Sequence, residues 1–139
     1  MTATTSVNLD RVEALLAENG YEVSEQGEGM LRIGEPGSGI AIRAALAGGI
    51  LFFSLTCVTV PTASITPELM RRMLDASNGI STSGFQLYDT GDGKTAITLN
   101  NFCKLQNLGA DDEDDILSCV HFLLGDVVEA RRLIGGMVM

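Results

Sequence analysis

Few side chains in this sequence are of types that do chemistry, and their spacing argues against most of it. His121 is the sole histidine, so a Ser–His dyad or a histidine-ligated metal would have to use it. It lies beside an apolar stripe, in register with Leu117 and Leu124, where an imidazole reads as a packed or boundary group rather than a catalytic one. Cys57, Cys103 and Cys119 are three widely spaced cysteines with no Cys-x-x-Cys, so neither a zinc site nor a disulfide framework is expected. Each falls in an apolar strand or helix context, where a thiol behaves as a small hydrophobe, and Cys119 is the one whose reactivity merits measurement. The run Asp89-Thr-Gly-Asp-Gly-Lys94 begins like a calcium loop but lacks the further oxygen ligands and the distal glutamate. It reads as a hairpin turn. The glycine-rich Gly34–Gly39 has no Lys-Ser/Thr and no following helix, so it is not a phosphate loop. With no paired carboxylates, nucleophile elbow or cofactor fingerprint, the expectation is a non-enzyme with no catalytic residue, cofactor or metal.

Composition narrows the class further. The chain has 139 residues, 45% of them apolar, with nine Lys and Arg against eighteen Asp and Glu, a net charge of −9. That length and apolar content suit a single domain, 1–139, with an adequate core. Nine outnumbered cations disfavour nucleic acid and anionic membranes, both of which need a basic surface. Met1–Asn8 lacks the basic and apolar regions of a secretory leader, and with the unpaired cysteines this points to the cytoplasm. The uncharged run between Arg43 and Glu68 approaches the ~20 residues of a membrane span. Gly48-Gly49 and Pro61 interrupt it, however, and its Thr and Val content favours strands.

The elements that must position any site follow from periodicity. Gly49–Pro61 organises the rest: Leu51, Phe53, Leu55 and Cys57 share one face of a strand, while Ile50, Phe52, Ser54, Thr56 and Val58 share a mixed opposite face. Before it, Ser6 or Asn8 caps a helix running to Asn19 with Leu9, Val12, Leu15 and Leu16 on one stripe. Strands at Tyr21–Glu25, Met30–Ile33 and Ile40–Leu46 follow, the last with Ile40, Ile42 and Leu46 facing one way. Thr66-Pro67-Glu68 starts a second helix that places Leu69, Met70, Met73 and Leu74 inward and ends near Asn78-Gly79. Phe85–Tyr88 and Thr95–Leu99 form a hairpin, its second arm extending toward Leu105. Asp111–Asp115 are dipole-matched acids at the start of a last helix that Gly135-Gly136 terminates. The fold class is α+β: an antiparallel sheet packed against helices in the order α, three or four β, α, β, β, α.

The last helix carries more apolar surface than one sheet face requires. Cys119, Phe122 and Met137 widen the stripe of Ile116, Leu117, Val120, Leu123, Leu124, Val127 and Val128. Such a helix lies deep in a core or meets another subunit, and Ile116, Cys119, Val120, Phe122, Leu123 and Val127 are the candidate protein-interface residues.

Three segments carry a family resemblance: Leu69-Met-Arg-Arg-Met-Leu-Asp-Ala-Ser-Asn78, Phe85-Gln-Leu-Tyr-Asp89, and Ala96-Ile-Thr-Leu99 followed, after the acids, by Asp115-Ile-Leu-Ser-Cys-Val-His-Phe-Leu-Leu124 and Ala130-Arg-Arg-Leu133. With the element order, they resemble the type III secretion chaperone-like superfamily, including the YbjN-type family of candidate bacterial sensory-transduction regulators. The resemblance implies that same α+β fold and no enzymatic activity. It also implies a small acidic homodimer that binds a partner polypeptide, an effector or regulatory chain, along exposed apolar strand and helix surfaces. The alternative reading is a small-ligand-binding protein or enzyme with a pocket between sheet and helices.

Overall fold

The computed structural model describes residues 2–106 and 110–138. In chain order the elements are α1 (Thr2–Glu18), β1 (Glu22–Glu25), β2 (Met30–Gly34), β3 (Ala41–Ala47), β4 (Ile50–Pro61), a 3-10 turn at Thr62–Ser64, α2 (Pro67–Leu74), β5 (Gly84–Asp89), β6 (Lys94–Lys104) and α3 (Ala110–Val138). Strand order in the six-stranded antiparallel sheet is β1-β2-β3-β4-β6-β5. The expected α+β class and element order are therefore what the chain adopts. Residues up to Ser54 with Phe102–His121 form one compact unit, and Leu55–Asn101 with Phe122 onward form another. β4, β6 and α3 each contribute to both.

The first unit contains α1, β1–β3, the start of β4, the end of β6 and the first turns of α3. Leu9, Val12 and Leu16 bury one stripe of α1, and Gly20, at φ 92°, takes the left-handed conformation that lets the chain leave the helix. β2 pairs with β3 through Leu31↔Ala44 and Ile33↔Ile42, so these four buried side chains meet on one face. β3 pairs with β4 through Ala44↔Phe53 and Leu46↔Leu51. Phe53, at 1% exposure, fills that layer beside Ala44, whose small side chain leaves it room.

In the second unit, Leu55 and Cys57 continue the buried face of β4, and the alternation then slips so that Val60 also turns inward. β5 and β6 pair with Phe85↔Leu99 and Leu87↔Ile97 around the Asp89–Gly93 turn, where Gly91 and Gly93 hold φ 83° and 81°. That is the hairpin chemistry expected of the segment. Thr66 caps α2 as its sequence indicates, its Oγ1 accepting from the Leu69 amide at 3.1 Å, with Pro67 in the first turn. Thr66→Ala is expected to cost ~1 kcal/mol, readable as a shift in urea midpoint at unchanged slope.

Four local expectations need correction. Ser6 and Asn8 fall inside α1 rather than at its start, because no Gly or Pro between Thr2 and Leu9 stops the helix from extending. α2 ends at Leu74, not near Asn78-Gly79: Asp75 is extended (φ −67°, ψ 133°), and its carboxylate accepts from the amide and hydroxyl of Ser77, a turn that competes with the helix. Leu69 and Met73, four apart, take the buried face, which leaves Leu74 79% exposed. In β3 it is Ile42 and Ala44 that are buried, with Ile40 and Leu46 half-buried at the strand's ends. Finally, α3 continues through Gly135-Gly136 to Val138, since a helix glycine costs only ~1 kcal/mol and Ile134 is buried immediately before.

Candidate functional site

The candidate interface residues all lie on α3, and the structure separates them. In the first unit Ile116 and Val120 are fully buried and Cys119 is 9% exposed. In the second, Leu123 and Val127 are fully buried, whereas Phe122 is 47% exposed and Val128 55%. The surplus width of the stripe is thus largely taken up by packing inside the chain, and only Phe122 among the six presents a large surface. The side chain of Met137 lies outside the described residues.

The acidic run is also not uniform. Asp111, Glu113, Asp114 and Asp115 are exposed, as a solvated helix start requires. Asp112 is only 3% exposed, and its Oδ2 accepts from the Gln106 amide at 2.8 Å, so it ties down the approach to α3. In the same unit Asp10, Glu13 and Glu25 bring three carboxylates within 4.8 Å of one another. They are exposed or half-buried, a grouping that surface acids form without any ion.

The thiols are structural. Cys57 is pushed up to about 11 by burial, against the opposing pull of Arg131 and a backbone hydrogen bond at Leu99. The Arg131 Nε donates to the Cys57 carbonyl at 3.2 Å. Because the folded thiol holds its proton past the point at which the unfolded one, near 9.0, releases it, this group's stability contribution is complete below pH 9 and is lost as pH rises through about 11. Alkylation of Cys57 in the folded protein at pH 8 is expected to be much slower than in urea, followed by mass spectrometry of the labelled peptides. Cys103 is raised as well, first by its hydrogen bond with Cys119 and then by burial. Cys119 Sγ in turn approaches the Phe102 carbonyl at 3.7 Å. The same hydrogen bond with Cys103 lowers Cys119, but at 9% exposure the residue is largely shielded from reagents in solution. His121 is exposed, its ring 6.4 Å from that of Tyr21, a boundary position as expected. His121→Asn should leave the urea midpoint within ~0.5 kcal/mol of the parent.

What sequence reasoning did not find is an aromatic pair on the other face of the sheet. Phe52 on β4 and Phe102 on β6 are 45% and 63% exposed, with ring centroids 6.1 Å apart and planes tilted by 42°. The mixed outer face of β4 was legible, but Phe102 lies fifty positions on, and only the adjacency of β4 and β6 brings the two rings together.

No protein-family model and no curated protein matches the chain. Among solved structures, a chain of the heterodimeric ExoU–SpcU complex from the type III secretion system of Pseudomonas aeruginosa superposes with a TM-score of 0.58. The match has 15% identity and covers 87% of this chain and 95% of that one. This is the type III secretion chaperone-like fold. YbjN from E. coli shares it, with a TM-score of 0.60 at 16% identity over 91% of this chain and 87% of that one. The type III secretion chaperone-like fold of this chain thus carries the element order and helix placement that its sequence pattern implied. Among the described residues no helix is long and apolar enough to cross a membrane, and the uncharged run from Ala44 to Pro67 is built mainly of β3 and β4.

Proposed function

We propose that this chain is a non-catalytic, cytoplasmic protein-binding module that works as a homodimer and holds a partner polypeptide, in a chaperone-like or regulatory role. The observation that carries this reading is the exposed Phe52–Phe102 pair. Two aromatic rings on an open sheet face bury large apolar area at small entropic cost when an apolar segment covers them, which is how binding hot spots are built. The likeness to a chain of the heterodimeric ExoU–SpcU complex, in which two different polypeptides associate, supports it at the level of fold. The acids flanking α3 favour a partner with basic as well as apolar residues, by steering rather than by buried pairing.

The test uses an affinity pull-down from the source cells with the intact chain and with Phe52→Ser/Phe102→Ser. Both rings are exposed, so the variant should keep its fold. Loss of a recovered polypeptide in the variant is the expected result. A polypeptide retained equally by both, or a metabolite recovered in place of any polypeptide, overturns the reading. For the homodimer, light scattering should return twice the chain mass at micromolar concentration. Phe122→Asp should shift that value toward the monomer, because a charge at a contact between copies is desolvated without a partner. A monomer from the unmodified chain removes the dimer.

A further inference from the structure

The net charge of −9 is not spread evenly. The unit containing α1 and β1–β3 carries twelve acids and four bases, a net −8, whereas the unit containing α2 and β5 carries six acids and five bases, a net −1. Four of those five bases are Arg71 and Arg72 in the last turn of α2 and Arg131 and Arg132 on α3. Within the same unit, Arg72, Asp75, Ser77, Asn78, Glu129, Arg132 and Leu133 line a groove of about 420 Å³. That volume lies in the range of roughly 300–1,000 Å³ typical of ligand-sized clefts.

The wall of this groove is set before anything binds. Asp75 accepts from the amide and hydroxyl of Ser77 at 2.9 and 2.8 Å, and these bonds hold its carboxyl below the usual range. Asn78 donates through Nδ2 to the Met73 carbonyl at 2.7 Å and accepts from the Ile80 amide at 2.8 Å. Its amide group is therefore occupied in shaping the turn. The arginines differ from one another. Arg131 is committed to the Cys57 carbonyl. Arg132 is paired with Glu129 at 2.8 Å, but with 70% and 46% of the two side chains exposed the pair is weak and exchangeable. Arg72 makes no hydrogen bond or ion pair with any of the described residues. One guanidinium is thus free and a second is held loosely, on either side of an apolar contact at Leu133.

We propose that this groove binds an acidic polypeptide segment, with carboxylates on Arg72 and Arg132 and an apolar side chain against Leu133. The inference rests on the reading of the chain as a protein-binding module and adds the chemistry of the partner at this place. Planar guanidinium forks match carboxylates two bonds at a time. A compact dianion such as phosphate would bring its whole charge against Asp75 and Glu129 as well. A segment that spaces single charges along an extended chain avoids that. The other unit, at net −8, repels the same segment, so the groove is where an acidic stretch is tolerated.

The probe is a fluorescein-labelled octapeptide alternating Leu and Glu, followed by fluorescence anisotropy at low salt, with its Leu–Gln and Leu–Lys counterparts as controls. The acidic peptide should bind saturably and the Leu–Gln peptide at least tenfold more weakly, whereas the Leu–Lys peptide, drawn to the acids of the other unit, should bind equally with and without Arg72 and Arg132. Arg72→Gln/Arg132→Gln should weaken binding of the acidic peptide at least tenfold, while Arg43→Gln, on β3 in the other unit, should leave it unchanged. Glu129→Gln should tighten it by freeing Arg132, a direction that mere loss of structure does not produce. All three variants change exposed or half-exposed groups, and circular dichroism checks that each is folded. Absence of saturation up to about 1 mM, equal binding by the double arginine variant, or displacement by an equimolar amount of inorganic phosphate overturns the proposal. If the octapeptide fails while a partner is still captured through Phe52 and Phe102, the groove assignment falls and the protein-binding reading stands.

Discussion

Phe53→Ala is expected to lose ~3–5 kcal/mol of stability, against a total of about 5–15 kcal/mol for a typical domain. The ring is 1% exposed, and β4 places it opposite Ala44 on β3. Its removal leaves a cavity that the neighbouring β2 residues Leu31 and Ile33 cannot close without breaking their own pairings with Ala44 and Ile42. The loss should appear as a lower urea midpoint with little change in slope. Phe52→Ala, one residue earlier on the open face, should cost less than ~1 kcal/mol by the same measurement. Equal losses at the two positions would mean that the burial of β4's inner face is misassigned.

The second large effect is expected on α3. Val120→Asp puts a carboxylate at a position with no exposure, and an unpaired buried charge costs several kcal/mol even after it takes up a proton. Little folded protein should be recovered at neutral pH, and the deficit should narrow as the pH falls toward 5, where the carboxyl is more easily neutralised. Phe122→Asp, two residues on and half exposed, should express as a folded chain. The contrast separates two roles within one apolar stripe. If Val120→Asp were as stable as the parent, α3 would be offering that residue to solvent or to a second copy rather than to its own core.

The charge distribution links these points to function. Ionic strength should act unequally on the two kinds of partner segment: basic stretches drawn to the −8 unit and acidic ones admitted near Arg72 and Arg132 both lose attraction as salt rises, but acidic ones also lose repulsion from the rest of the chain, so their binding falls less steeply. The same helix starts with five acids and carries Arg131 and Arg132 near its other end, so the polarity is written into one element.

Much of this was determined by the sequence alone, because the features concerned are local. The alternation of β4, the Thr66-Pro67 helix start, the glycines of the Asp89–Gly93 turn and the periodicity of α3 each depend on neighbours a few residues away. All appear where their spacing puts them. Helix ends were less legible: whether Asp75 closes α2 or Gly135-Gly136 closes α3 is a balance of about 1 kcal/mol between a local turn and the anchoring of flanking residues. Which side of α3 is left over could not be read either, since a broad apolar stripe has the same pattern whether its own sheet or another chain covers it. Tertiary structure decided that Ile116, Val120, Leu123 and Val127 are core and Phe122 is surface. Strand adjacency likewise brought Phe52 to Phe102, and helix packing set Arg72 near Arg132 across some sixty residues of chain. Such meetings depend on which distant segments share an edge or a face, and nothing in the spacing along one segment encodes that.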